Sequence, residues 1–287
     1  MIIITGATGR LGSLIVQELL RRVPAERIGV SVRDPGRAAA LLASGVRVRR
    51  GDFTEPGTLA AAFEGATQVL VVSADATGHE AVARHTAAID AARAAGAERI
   101  LYTSHQAAAA HSLFAPMPDH AATERYLAAT GTPFTALRNG FYASALPHLL
   151  GRALESGELV APADGPVSWT AHDDLAEAAA AVLAGERRYE GPTPPLTAPD
   201  ALDLEDVAAV LTELTGRTVR RVVADDDEWA AELTGHGVPA EQADLLLGMF
   251  RAARRGEFAT TGTTLRDLIG RPATPARVTL EQAVTSR

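Results

Sequence analysis

The stretch Ile2–Gly12, IIITGATGRLG, decides the reading of this chain. A short apolar run ends in glycines at positions 6, 9 and 12, and a helix-like stretch, Leu11–Arg22, follows directly. Glycine permits a tight turn and a close backbone approach. The start of a helix offers free N–H groups and a positive dipole end. Strand, glycine turn and helix in that order are the setting in which a pyrophosphate is held. Gly6, Gly9, Gly12 and the Leu11 amide are therefore predicted to hold a dinucleotide, with Thr8 and Arg10 as further donors.

The rest of the first half keeps the same rhythm. Strand-like runs at Ile28–Val32, Val46–Arg49, Val69–Ser73, Ile100–Ser104 and Phe134–Leu137 alternate with helix-like Gly36–Ala43, Gly57–Phe63, His79–Ala95 and Asp119–Thr130. Apolar residues at successive strand positions suit strands covered on both faces, and the alternation implies a parallel sheet with right-handed crossovers. The expected fold class is α/β, a Rossmann-type doubly wound parallel sheet with a smaller, mostly helical C-terminal region. Residues 1–140 form the nucleotide domain and 141–287 the substrate region, with part of 165–200 returning to the sheet. Tyr142–Ser156 reads as a helix and Pro166–Thr170 as a short strand. His172–Ala184 and Leu204–Thr215 read as helices, Thr218–Val223 as a strand, and Asp226–Thr234 and Ala240–Arg254 as helices.

The position about twenty residues beyond the glycines reads the adenosine ribose. An acid there would accept from a 2′-hydroxyl, but "SVRDP" places Arg33, whose planar fork suits a 2′-phosphate. The expected cofactor is NADPH, with Arg37 in support; Asp34 keeps NADH open. In "GDFTEP", Asp52 and Phe53 either hold the adenine or cap a turn.

Composition narrows the chemistry. The 287 residues include no cysteine, and all 27 basic side chains are arginine. Thiol nucleophiles, thiolate metal sites and lysine bases are thereby excluded. The net charge of −8 leaves no footprint for nucleic acid or an anionic membrane. Neither a signal peptide nor a spanning segment is read, so a cytoplasmic monomer or homodimer acting on a small molecule is expected. His79 and His85, six apart on a helix, face different ways, and no metal is expected.

Taken together, "TGATGRLG", "VRDP", "GDFTEP", "ERILYTS", "HAATERYLAATGTPFTALRNGFY" and "LEDVAAVLTELTGRTV" resemble the NmrA-like group of atypical short-chain dehydrogenases/reductases. Order and spacing look most like its quinone oxidoreductase type-2 and triphenylmethane reductase branch. The resemblance implies NADPH in a cleft between a Rossmann domain and a substrate domain. The wider superfamily uses Ser with Tyr-x-x-x-Lys; here Ser104 stands in the expected place, but no tyrosine has a lysine partner. His120 occupies the position where relatives carry a lysine or histidine.

Candidate catalytic residues are His120, Ser104 and Tyr142, His120 being the side chain that can titrate near neutral pH. Ser73, Thr103, Ser104, His105 and His120 are expected along the cofactor at the sheet's carboxyl edge, with Asn139, Gly140 and Phe141 beside the nicotinamide. A plain helix start, a strand-ending turn and core aromatics are the competing readings of these positions. The activity expected is NADPH-dependent hydride transfer to a quinone-like or conjugated acceptor. The alternatives are a non-catalytic NADP(H)-sensing regulator and a tailoring reductase of a polyketide-like metabolite.

Overall fold

The computed structural model describes residues 1–286. In its first half strands and helices alternate: β1 (Ile2–Thr5), α1 (Arg10–Leu20), β2 (Ile28–Val32), α2 (Ala39–Ala43), β3 (Arg47–Arg50), α3 (Leu59–Phe63), β4 (Gln68–Val71), α4 (Gly78–Ala94), β5 (Arg99–His105), α5 (Pro116–Ala129) and β6 (Phe134–Asn139). Shorter pieces follow: β7 (Phe141–Tyr142), α6 (Leu146–Leu149), α7 (Ala153–Ser156), β8 (Glu158–Pro162), β9 (Trp169–Thr170), α8 (His172–Ala184) and β10 (Gly191–Pro192). The chain ends with α9 (Leu204–Thr215), β11 (Arg220–Ala224), α10 (Asp226–Gly235), α11 (Ala240–Arg254), α12 (Thr264–Ile269) and α13 (Ala276–Thr285).

Seven strands form one sheet in the order β10-β6-β5-β4-β1-β2-β3. Every pair in it is parallel. The winding direction reverses between β1 and β4, which opens a crevice at the carboxyl ends of these two strands. β1 and β2 are buried at every position, so their unbroken apolar runs carry no inside–outside alternation. One face is covered by α1, α8 and α12, the other by α3, α4 and α5. On α1, Leu11, Ile15, Val16 and Leu19 form the buried stripe, and the alanines of α8 let the two helices lie close together.

A second core gathers Phe141, Trp169, Phe250 and Phe258 with α9 and α11. Two small parallel ribbons, β8–β11 and β7–β9, belong to this region. The expected boundary near residue 140 is crossed again by α8 and β10, and also by residues 265–273, which pack on the α1–α8 layer. Composition gave no hint of that last return.

The single helix expected over Tyr142–Ser156 is absent. Pro147 starts α6 in its first turn, Gly151 with φ of +51° separates α6 from α7, and Phe141–Tyr142 are extended as β7. Strand β8 was not read from the sequence, because its ladder partner β11 lies some sixty residues later. Asp174, in the first turn of α8, is fully buried; it binds Arg271 and the Thr274 amide and so ties the chain beyond α12 to α8.

Candidate active site

The glycine turn is built by three different constraints. Gly6 sits at φ of +61°, which side chains other than glycine rarely adopt. At Gly12 an added Cβ would lie 2.3 Å from Gly6 O, so α1 can rest on the turn only if this residue is glycine. At Gly9 the same atom would meet only Gly6 O, at 3.2 Å, and is otherwise open towards the groove. Ser13 N–H is the first to close a helical bond, onto Gly9 O, which leaves the amides of Arg10, Leu11 and Gly12 free at the positive end of α1. The Leu11 side chain is buried in the core, so only its backbone can serve a ligand. Open backbone at Gly9 and three undonated amides fit a bound diphosphate. Gly12→Ala will lower stability by about 1–3 kcal/mol and weaken nucleotide binding at least tenfold, as read by thermal melting and NADPH titration. Gly57→Ala, with nothing within 4 Å of the new atom, will do neither.

From this turn a groove of about 350 Å³ runs to Arg33, Asp52 and Phe53. Arg33 is exposed and lines it. The Asp34 carboxylate instead accepts from Gly36 N at 2.9 Å, capping the turn Pro35–Ala38. Asp52 Oδ1 accepts from both the amide and the hydroxyl of Thr54, at 2.9 and 2.8 Å. The Thr54 amide chiefly holds the Asp52 carboxyl below its usual range, with Arg33 and Arg50 adding to this. Asp52 therefore serves a turn and also lines the groove. Arg37 is exposed and does not line this groove.

In the other direction the groove passes Ser73, Ala74 and Asp75 into a second hollow of about 240 Å³, lined by His85, Asp119, His120 and Leu245. The hydrogen bonds here assign the proton positions. His85 Nε2 accepts from Ala74 N at 2.9 Å, so its proton is on Nδ1, facing Thr123 Oγ1 at 3.0 Å. Thr123 passes its own hydroxyl proton to Asp119 O. Tyr102 OH lies 2.7 Å from His120 Nδ1 and donates to it, which leaves the His120 proton on Nε2. Burial lowers His85 to about 4 and His120 to about 3, the latter with a contribution from His85. The expectation that His120 titrates near neutral pH is thereby corrected. In this setting it is a neutral imidazole with a fixed tautomer, an N–H donor and not an acid reserve.

Other residues are redirected by their partners. Ser104 Oγ donates to Glu124 at 2.6 Å, and Glu124 is held by Arg138, so the serine proton is engaged inside the protein. Thr103 Oγ1 accepts from Ser73 N and donates to Ser73 Oγ; it is buried and supports Ser73, which is the one that reaches the groove. Gly140 N–H donates to Leu196 O and Asn139 O accepts from Gln106 N, so neither backbone group is left for a ligand. Gly140 is glycine because an added Cβ would lie 2.1 Å from Thr170 Oγ1. The Asn139 side chain keeps Oδ1 buried without a partner among the described residues. Phe141 lies in an aromatic cluster with Phe114, Trp169 and Phe258. Tyr142 lies against His172, with ring centroids 4.2 Å apart and planes tilted by 39°, and Arg10 acts electrostatically on the same histidine. Among the described residues no cluster could hold a metal ion.

Sequence reasoning missed His85 and Tyr102, as well as Ala74 and Asp75. The last two lie in the loop after β4, where the strand order reverses, and that rule could have found them. Nothing local marks His85 or Tyr102.

The NmrA-like family profile matches residues 1–275. The chain belongs to the NmrA-like family. Among curated members it is 36% identical over 278 residues to quinone oxidoreductase 2 of Escherichia coli strain K12, covering 96% of this chain and 95% of that protein. It is 31% identical over 275 residues to the NAD(P)H azoreductase of Xenophilus azovorans, covering 95% and 94%. The solved Escherichia coli NADPH-dependent quinone oxidoreductase, complexed with NADPH, superposes with a TM-score of 0.93 at 34% identity and covers 99% of this chain and 100% of that one. This NmrA-like chain shares with it the α/β sheet described above. No helix among the described residues is long and apolar enough to cross a membrane.

Proposed function

We propose that this NmrA-like protein is an NADPH-dependent reductase of quinone-like or other conjugated small molecules. The observation that carries the reading is one continuous groove. It joins the glycine turn and Arg33 at one end to the His120 side chain at the other. Relatives named as quinone oxidoreductase and azoreductase over nearly their whole length support it.

The amides of Arg10, Leu11 and Gly12 would hold the diphosphate, Arg33 the ribose phosphate, and Ser73, backed by Thr103, the middle of the molecule. A bound reduced nicotinamide supplies the hydride. The chain's own part is to orient the acceptor, exclude water and meet the oxyanion left when a carbonyl conjugate accepts hydride. His120 Nε2–H is suited to that last role. Burial holds the Tyr102 hydroxyl well above the ordinary phenol range, so Tyr102 does not pass its proton on through His120. The final proton comes from solvent, and His120 acts by hydrogen bonding. Simple ketones, which need a matched acid, will be poor substrates.

Stopped-flow loss of NADPH absorbance with a panel of quinones and dyes tests this. Turnover is expected, with kcat flat from about pH 6 to 9 because neutral His120 has no ionisation in that window. His120→Leu will lower kcat for a quinone about 100-fold with little change in KM for NADPH. Tight, selective binding of NADPH with no turnover of any acceptor would transfer the assignment to a nucleotide-sensing regulator.

A further inference from the structure

We propose that His105 is a second hydrogen-bond donor to the acceptor, paired with His120 to hold the two oxygens of a dicarbonyl such as a quinone. The proposal rests on the reductase reading above and narrows it to one acceptor class.

Four observations carry it. First, the His105 ring stacks on His120, with centroids 6.3 Å apart and planes tilted by 26°. The two imidazoles are therefore neighbours, and His120 lines the hollow at the end of the groove. Second, His105 Nδ1 accepts from Ala107 N at 3.1 Å, which puts the His105 proton on Nε2, as the Tyr102 bond does for His120. Third, His105 Nε2 has no hydrogen-bond partner among the described residues. It is also not one of the sealed polar atoms without partners, which are Ser31 Oγ, Gln68 Oε1, Arg84 Nε, Asn139 Oδ1 and Thr197 Oγ1. The ring is half-buried, so this N–H is open to a ligand. Fourth, Phe141 and Phe258 meet the His105 ring nearly at right angles, at 5.6 and 5.7 Å. Both phenylalanines are buried in the second core, so they hold the His105 ring in a fixed orientation.

Burial keeps His105 neutral, lowering it to about 3, with His120 as a further cause. Two neutral N–H donors suit carbonyl oxygens and stabilise the charge that develops on them. They offer nothing to a cationic triarylmethane dye that has no oxygen. A site that hydrogen-bonds an oxygen rejects a substrate lacking it, because the donor is then left unpaired.

The bland role for His105 is to accept the Ala107 amide and shape the turn after β5. His105→Asn separates the two roles, since an asparagine oxygen can take the same amide two residues on but places no N–H at the Nε2 position. With the full-length protein and NADPH, this variant is expected to lose about tenfold in kcat/KM for a 1,4-quinone, the worth of one hydrogen bond. Its kcat/KM for a cationic triarylmethane dye and its KM for NADPH will stay within twofold. Quinone binding to the NADPH-free protein, followed by calorimetry, will weaken by a similar factor. His105→Leu, if folded by circular dichroism, will behave like His105→Asn. An equal loss for both acceptors, or none for either, overturns the inference and leaves the reductase reading intact. Wild-type protein inert to both acceptors overturns the reductase reading, and this inference with it.

Discussion

Replacing Arg33 with aspartate will lower kcat/KM for NADPH by roughly 10²–10³-fold while leaving that for NADH within threefold. A charge-assisted hydrogen bond is worth about 1.5–3 kcal/mol, and tenfold in rate corresponds to about 1.4 kcal/mol. Losing the guanidinium alone accounts for the lower part of the range. The new carboxylate beside a phosphate adds repulsion and supplies the rest. The neighbouring Asp34 does not substitute for an NADH-reading acid, because its carboxylate is turned onto Gly36 N. Steady-state kinetics with both nucleotides at fixed quinone concentration checks this. Equal losses for the two would remove Arg33 from the 2′-phosphate and return preference to some other part of the groove.

The second large effect is on stability. Burial lowers His85 and His172 to about 4, and His105 and His120 to about 3, against an ordinary histidine value near 6.5. All four are neutral in the folded chain, whereas the unfolded chain protonates them as pH falls through about 6.5. Above that pH they leave stability unchanged. Below it the unfolded state binds more protons, so stability falls as pH drops towards 3–4. Each group contributes about 1.4 kcal/mol per pH unit, and the four together about 5–6 kcal/mol per unit once all are engaged. A domain with about 5–15 kcal/mol of total stability will therefore unfold steeply between about pH 5 and 4. Urea midpoints measured from pH 7 down to 4 will show uptake of about four protons on unfolding, and His105→Leu will remove about one. A midpoint constant down to pH 4 would mean that these imidazoles are hydrated and able to charge in the native state.

The buried histidines show where sequence reading stops. His79 and His85 lie six residues apart on one helix, and His85 has no local feature to set it apart from its exposed neighbour. What distinguishes it is Ala74, Tyr102 and Thr123, brought in by β4, β5 and α5. Ser104 is the converse case. Its place after β5 suggested a ligand, but Glu124 on α5 and Arg138 on β6 take its hydroxyl into the interior. Gly140 likewise looked like a cofactor contact and is instead an opening for Thr170.

Near neighbours along the chain were sufficient for the glycine turn, the parallel sheet and the arginine after β2. Turn geometry, unbroken apolar strands and helix starts are written within about ten residues of one another, and their physics is local. The tautomer of each imidazole, the direction of each hydroxyl and the division of the C-terminal half arose otherwise. They depend on which buried donor meets which acceptor once β4, β5, α4 and α5 pack, and on ladder partners as far apart as Glu158 and Arg220. Proton positions in a dry interior follow from such long-range pairings, because an unpaired buried polar group is too costly to leave.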